Sequence, residues 1–329
     1  MKLRLLSRAD VQRAVPMREA IEIVKGAFAQ LSAGKAVVPV RTQLPVDRHE
    51  GVAIFMPAYL SESDDLAIKI VSVFPRNLDK GLPTIYALVV VVEASTGRPL
   101  AAMDGTYLTA LRTGAASGAA TNLLARQNAR VAAIFGAGTQ GRTQLLGVCE
   151  VRDIKRVWVY DVNLEAAGRY IQEMKGQGRV PDELRVASSP AQAVREADVI
   201  CAATTTKAPL FADADLKAGV HINGIGSFTP EMQEIPEETV RRAKVVVGSR
   251  EGCLAEAGDL IIPLRKGLIA EDHIYAELGE IVAGAKPGRE SEEEITFFKS
   301  VGNAVQDVSV ARRVLREAER MGLGTEVEI

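Results

Sequence analysis

The residue pattern with the most chemical content is a glycine loop. An apolar run, Val131–Phe135, leads directly into Gly136-Ala137-Gly138-Thr139-Gln140-Gly141, and an apolar-periodic stretch follows at once. A strand-to-helix turn of this kind suits a dinucleotide pyrophosphate. Gly136 permits the tight turn, Gly138 lets the backbone approach the phosphates, and Gly141 lets helix and sheet pack closely. Thr139 and Gln140 complete the loop, and the helix start offers free N–H groups and a positive dipole end to the anion. The next apolar run ends at Asp161, 25 residues after Gly136. An acid there binds the 2′- and 3′-hydroxyls of the adenosine ribose. Its charge repels a 2′-phosphate, and no Arg or Lys follows in Val162-Asn163-Leu164. NAD(H) is therefore the preferred cofactor, although some enzymes with this pattern also accept NADP(H). The competing reading is a plain glycine turn with an exposed aspartate cap.

These residues need elements to position them. From Arg130 onward, apolar runs at 131–135, 157–160, 199–203, 221–225 and 245–247 alternate with helical stretches, among them 140–150 and 164–175. This βαβα series predicts an α/β domain of Rossmann type, a doubly wound parallel sheet covered on both faces. The first hundred residues read differently. An amphipathic helix over 17–35, opened by Pro16 and closed by Gly34, precedes strand-like pieces at 37–44, 52–58, 66–73, 84–93 and 99–103, which should be antiparallel. Residues 106–126 form a helix crowded with Gly, Ala, Ser and Thr. Gly costs about 1 kcal/mol relative to Ala inside a helix, so Gly114 and Gly118 imply either close helix packing or close approach to a ligand. The last stretch, 290–321, reads as a helix that returns to the first domain.

Composition narrows the function classes. At ~150 residues per domain, 329 residues make about two domains. Forty Lys+Arg against 42 Asp+Glu leave a net charge of −2, which removes the electrostatic footprint of a nucleic-acid binder. The eight-residue run 85–92 is the longest apolar stretch, well short of the ~20 that span a bilayer, so no membrane partner is expected. Cys149, Cys201 and Cys253 lie far apart and read as buried thiols, and His49, His221 and His273 have no metal-ligand spacing. A cytoplasmic, metal-free protein is the expectation.

The loop alone does not name a reaction. The segments Leu108-Thr-Ala-Leu-Arg112-Thr113-Gly-Ala-Ala-Ser and Phe298-Lys-Ser300-Val-Gly-Asn-Ala-Val-Gln-Asp307 flank it, with Ala67-Ile-Lys69-Ile-Val and Gly81-Leu-Pro-Thr84 nearer the N-terminus. Together, in this order, they resemble the ornithine cyclodeaminase/mu-crystallin family, closest to its ketimine reductase members. The resemblance implies a strand-rich α+β substrate-binding and dimerisation domain, residues 1–118 with 305–329, and an NAD(P)-binding Rossmann domain, residues 119–304. It also implies a homodimer acting on a small α-imino or α-amino acid. By matched motif, Arg41, Lys69 and Arg112 look like the family's substrate-carboxylate residues. Guanidinium holds a carboxylate bidentately and ammonium holds it as a point charge. The apolar setting of Lys69 supports this, because a buried unpaired ammonium is costly. The same matching assigns Thr84, Arg112, Thr113, Ser227 and Ser300 to the dinucleotide, with Thr204 added from the end of another apolar run. On this reading the glycines of the 106–126 helix serve approach to cofactor and substrate.

One departure bears on the reaction. In Gly224-Ile-Gly226-Ser227-Phe228-Thr-Pro230, phenylalanine stands where cyclodeaminases carry an acid/base aspartate, and Ile54 stands where they carry a glutamate. Ornithine cyclisation needs proton handling at each stage, so losing both carboxylates argues against it. Glu231 or Asp259 are the available substitutes. Reduction of a preformed C=N needs less: neutralise the carboxylate, supply one proton, and orient the imine for hydride. Arg41 and Arg112 would hold the carboxylate, and Lys69, the candidate catalytic residue, or an ordered water would protonate the nitrogen. The expected activity is reduction of Δ1-pyrroline-2-carboxylate to L-proline, or of Δ1-piperideine-2-carboxylate to L-pipecolate. Alanine dehydrogenase, ornithine cyclodeaminase and a non-enzymatic NAD(P)H-binding protein are the alternatives.

Overall fold

The strands β1 (Lys2–Leu6), β2 (Ala36–Val37), β3 (Thr42–Val46), β4 (Gly51–Leu60), β5 (Asp65–Val73), β6 (Ile85–Glu93) and β7 (Pro99–Asp104) precede the long helix Gly105–Leu124. After it come β8 (Val131–Phe135), β9 (Arg156–Tyr160), β10 (Glu183–Val186), β11 (Val199–Ala202), β12 (His221–Gly224), β13 (Lys244–Val247), β14 (Ile274–Glu277) and β15 (Thr296–Lys299). The helix Ala304–Met321 and β16 (Thr325–Glu328) close the chain. This computed structural model describes residues Met1–Ile329, which divide into two units: Met1–Arg112 with Ala304–Ile329, and Thr113–Asn303.

The first unit carries one sheet in the order β16-β1-β7-β6-β5-β4-β2, with β3 also paired to β4. Its centre is antiparallel, with Met56, Lys69 and Val89 in register across β4, β5 and β6. β1 runs parallel to β7, the exception to the expected antiparallel pairing. The expected strand over 37–44 is split into β2 and β3, and Pro39, which has no N–H for a ladder, lies in the gap. Helices Met17–Ser32 and Ala304–Met321 pack on the sheet, and Met56, Ala58, Ala67, Lys69, Val89 and Val91 are buried. The residues between them in sequence, such as Phe55, Ile68, Ile70 and Val90, remain half-buried on the other face.

The second unit carries a fully parallel sheet, β10-β9-β8-β11-β12-β15-β13-β14. Alternate side chains along each strand feed two apolar cores. Phe135, Ile200, Ile222 and Phe297 enter one, and Ile134, Val157, Val159 and Cys201 enter the other. Strand order reverses between β8 and β11, the switch point at which ligands of doubly wound sheets bind. Gly136 begins the loop at the end of β8.

Two expectations need correction. Residues 290–321 are not one helix. Ile295–Phe298 is β-branched and aromatic, Phe297 and Phe298 are fully buried, and Thr296–Lys299 forms β15 inside the sheet. Gly302, at φ +78°, turns the chain into the helix that starts at Ala304. The unit boundary also lies at Arg112/Thr113 instead of 118/119. Gly114 already belongs with the second unit, because it lies against the helix Thr139–Val151. A Cβ on Gly114 would sit 2.2 Å from the Thr143 carbonyl oxygen. One on Gly147 would sit 2.2 Å from the Gly114 carbonyl oxygen and 3.3 Å from the Gly118 nitrogen. Packing at this helix–helix crossing by itself requires glycine at 114 and 147.

Candidate active site

In the first unit, three distant segments converge on one carboxylate. Lys69 projects from the middle of β5 and is 2% exposed, with its Nζ 2.7 Å from Asp307 Oδ2. Arg112, in the helix Gly105–Leu124, donates from Nε to Asp307 Oδ1 at 3.0 Å and from Nη1 to Gln306 Oε1 at 3.0 Å. Asp307 and Gln306 lie on the buried face of helix Ala304–Met321 and are fully inaccessible. Burial pushes the Lys69 ammonium down from its ordinary 10.5 to about 8. Asp307 opposes that shift, and Arg112 and Arg41 add to it. Arg41 is half-buried and belongs to the same field. A lysine poised near 8 is mostly charged at neutral pH and is a far better acid than a surface lysine. Thr84 lies in the same unit, half-buried before β6, with its carbonyl accepting from the Phe74 N–H.

In the second unit, the glycine loop has the three distinct environments that a pyrophosphate turn requires. Gly136 has φ +96°, and a Cβ on it would lie 2.5 Å from the Ala203 carbonyl oxygen. A Cβ on Gly141 would lie 2.1 Å from the Gly136 carbonyl oxygen, so only glycine lets the helix start this close to the strand. Gly138, the N-cap of the helix beginning at Thr139, faces open space. Gln140 is half-buried in the first turn, and no side chain caps that turn's N–H groups. Gly136, Gly138, Asp161 and Thr204 line one cleft of about 490 Å³. Asp161 Oδ2 accepts from the Ala137 N–H and Oδ1 from the Asn163 N–H, both at 2.8 Å. A carboxylate has about four lone-pair sites, so two remain for a pair of ribose hydroxyls. The cleft therefore has the features that the adenosine ribose and pyrophosphate of a dinucleotide require.

Other expected residues are placed differently. Thr113 is buried, and its carbonyl accepts from Gln144 Nε2. Ser300 is buried, and its Oγ accepts from the Gly302 N–H. Ser227 is fully buried: its Oγ donates to the Met232 carbonyl and accepts from the Asp259 N–H, which commits the hydroxyl inside the fold. Asp259 does not replace the missing acid. It is fully buried, with Oδ2 3.0 Å from Lys299 Nζ and Oδ1 accepting from the Glu234 and Ile235 N–H groups. Glu231 is exposed, Phe228 is 50% exposed, and Ile54 is half-buried in β4.

Two buried acids carry roles that the sequence reading did not assign. Asp307 is one, and its signal was an acid on the apolar face of an amphipathic helix. Glu234 is the other. Its Oε1 accepts from the Thr204 N–H (2.7 Å) and Oγ–H (2.8 Å), and its Oε2 accepts from the N–H groups of Gly226 (2.7 Å) and Ser227 (3.1 Å). The carboxylate thus ties together the loops that leave β11 and β12. Burial raises its pKa and Lys299 opposes the rise. Nothing in its local sequence marks it. His221 is a core histidine, bonded at both ring nitrogens to Thr296 and Asn223 and held neutral by burial, with its pKa pushed down to about 3.

The chain as a whole is similar to several known proteins. Residues 1–321 match the model of the ornithine cyclodeaminase/mu-crystallin family. A Δ1-pyrroline-2-carboxylate reductase of Bacillus cereus is 41% identical over 328 residues, covering 98% of this chain and 99% of that protein. The structure of Thermococcus litoralis Δ1-pyrroline-2-carboxylate reductase in complex with NADH and L-proline superposes with a TM-score of 0.94 at 46% identity, over 99% of this chain and 100% of that one. An archaeal alanine dehydrogenase dimer with bound NAD superposes with a TM-score of 0.92 at 36% identity, over the whole of both chains.

Proposed function

Because the chain belongs to the ornithine cyclodeaminase/mu-crystallin family, we propose that it is an NADH-dependent reductase of small cyclic imino acids. Its substrates on this reading are Δ1-pyrroline-2-carboxylate, reduced to L-proline, and Δ1-piperideine-2-carboxylate, reduced to L-pipecolate. The observation that carries the reading is the buried Lys69–Asp307–Arg112 cluster; the family resemblance adds that Phe228 and Ile54 stand where cyclodeaminases carry acids. The cluster's cations suit an anionic imine. The acids needed to expel ammonia are replaced by apolar side chains.

Each residue then has one task. Arg112 and Arg41 neutralise and orient the substrate carboxylate. Lys69 gives a proton to the imine nitrogen as the neighbouring carbon receives hydride, so that C=N becomes CH–NH. Gly136, Gly138, Thr139, Gln140 and Gly141 hold the pyrophosphate against the helix start, and Asp161 holds the ribose hydroxyls. Bound NADH supplies the hydride. The Asp161 carboxylate opposes a 2′-phosphate, which leaves NADPH as the poorer donor.

The functional form is a homodimer formed through the first unit. One sheet face there is packed under helices, while Phe55, Ile68, Ile70 and Val90 on the opposite face are only half-buried, and Leu88 beside them is 43% exposed. The three cysteines are free and buried, as suits a reducing compartment, the cytoplasm. The test is purified protein with NADH and each cyclic imine, with the amino-acid product identified by chiral chromatography. L-Proline or L-pipecolate formed in step with NADH consumption supports the proposal. Alanine formed from pyruvate and ammonia, with both cyclic imines untouched, overturns it.

A further inference from the structure

Two cations and one carboxylate share a buried space in the first unit, and their connectivity is specific. Each oxygen of Asp307 takes a different partner, Oδ2 the ammonium of Lys69 and Oδ1 the guanidinium of Arg112. Gln306, the preceding residue on the same helix, takes a second N–H of Arg112. Lys69 therefore spends one of three N–H donors on the protein and Arg112 two of five, leaving both with donors for a substrate. The charges facing Lys69 are Asp307 from one helix, Arg112 from another, and Arg41. Its cross-strand neighbours, Met56 and Val89, are apolar. With Asp307 as the only negative charge among them, the cluster keeps a net positive charge, which complements a carboxylate ligand.

We propose that Asp307 is the positioning residue of the reaction: its carboxylate keeps the Lys69 ammonium protonated in an apolar setting and fixes it relative to Arg112, so that proton donor and anion clamp meet the same substrate. This rests on the reductase reading for its substrate. Removal of Asp307 leaves Lys69 with burial and two like charges, all of which favour the neutral amine. The neutral amine has no proton to give. A purely structural acid would affect stability without changing the proton inventory of Lys69.

The test is a titration of the full-length protein labelled with carbon-13 at lysine Cε. The Lys69 resonance is assigned by its loss in Lys69→Met and followed by NMR in wild type, Asp307→Asn and Asp307→Glu. NADH binding to each variant checks the fold. Wild-type Lys69 should titrate near 8. Asp307→Asn should lower that midpoint by about 1–3 pH units and depress kcat for imine reduction at neutral pH, with recovery as the pH is lowered. Asp307→Glu keeps the charge but displaces it, so the midpoint should stay near that of wild type while kcat falls. An unmoved or raised midpoint in Asp307→Asn overturns the proposal. If that variant does not fold, an Asp307→Glu enzyme with wild-type kcat overturns it. A lowered midpoint in a protein that reduces neither imine would sink the reductase reading and leave the electrostatic role of Asp307 standing.

Discussion

Replacing Glu234 by glutamine tests whether a single buried carboxylate organises the loops after β11 and β12, one of which lines the cleft at Thr204. In the native protein its two oxygens accept four hydrogen bonds, from the Thr204 N–H and Oγ–H and from the Gly226 and Ser227 N–H groups. Glutamine offers one oxygen and one NH2. With the NH2 toward Gly226 and Ser227, two backbone N–H groups face donors. With the NH2 toward Thr204, the hydroxyl rotates to accept and one N–H is orphaned. The second arrangement is cheaper, so at least one buried donor loses its partner, at about 1–3 kcal/mol. Steric change is not the cause, since the two side chains are nearly isosteric. Thr204 lines the cleft with Gly136 and Asp161, so part of this cost should appear as weaker NADH binding. Its ceiling is roughly a 5- to 150-fold rise in Kd. Urea unfolding and NADH fluorescence titration of Glu234→Gln measure the two quantities. Wild-type values in both would refute the claim that this carboxylate organises the loops after β11 and β12.

Other consequences follow from the same geometry. Asp161→Ser with Val162→Arg removes the charge that repels a 2′-phosphate and places a guanidinium at a position that is 92% exposed. The ratio of kcat/KM for NADPH over NADH should rise by about 10- to 100-fold, worth one charge-assisted hydrogen bond. Gly114→Ala puts a Cβ 2.2 Å from the Thr143 carbonyl oxygen, so urea unfolding should show a loss of about 1–3 kcal/mol. The acid form of Lys69 is the protonated one, and it is lost as pH rises through about 8. Imine reduction measured as kcat/KM should therefore fall above that pH, by about tenfold per unit once Lys69 is mostly neutral. A profile flat to pH 10, about two units past that midpoint, would remove Lys69 as the proton donor.

The readable parts of this chain were those in which local chemistry and final geometry coincide. The glycine loop is a local device, and its three positions behave as spacing alone demands: Gly136 at positive φ, Gly138 open and Gly141 crowded. The parallel sheet was legible because β8 and β11, and most of β9 and β13, are runs of apolar residues. β15 was missed because Thr296–Lys299 ends in a lysine and follows an acidic run. That charge is tolerated only because Asp259, forty residues earlier, meets it at 3.0 Å. The Lys69–Asp307 pair spans 238 residues of sequence and could not be inferred from spacing. Gly114 illustrates the opposite case. Its neighbour Arg112 drew the glycines into the functional reading, whereas packing against the helix Thr139–Val151 by itself requires glycine at 114.

On the proposed function, this chain uses a buried cation cluster and NADH to reduce a preformed cyclic imine. The most direct measurement compares initial rates of NADH oxidation with Δ1-pyrroline-2-carboxylate, Δ1-piperideine-2-carboxylate, and pyruvate plus ammonia, alongside ammonia release from ornithine with NAD, all on one enzyme preparation. The highest kcat/KM should be for a cyclic imine, with no ammonia from ornithine. Ornithine cyclisation, or alanine formation faster than reduction of either cyclic imine, would contradict it.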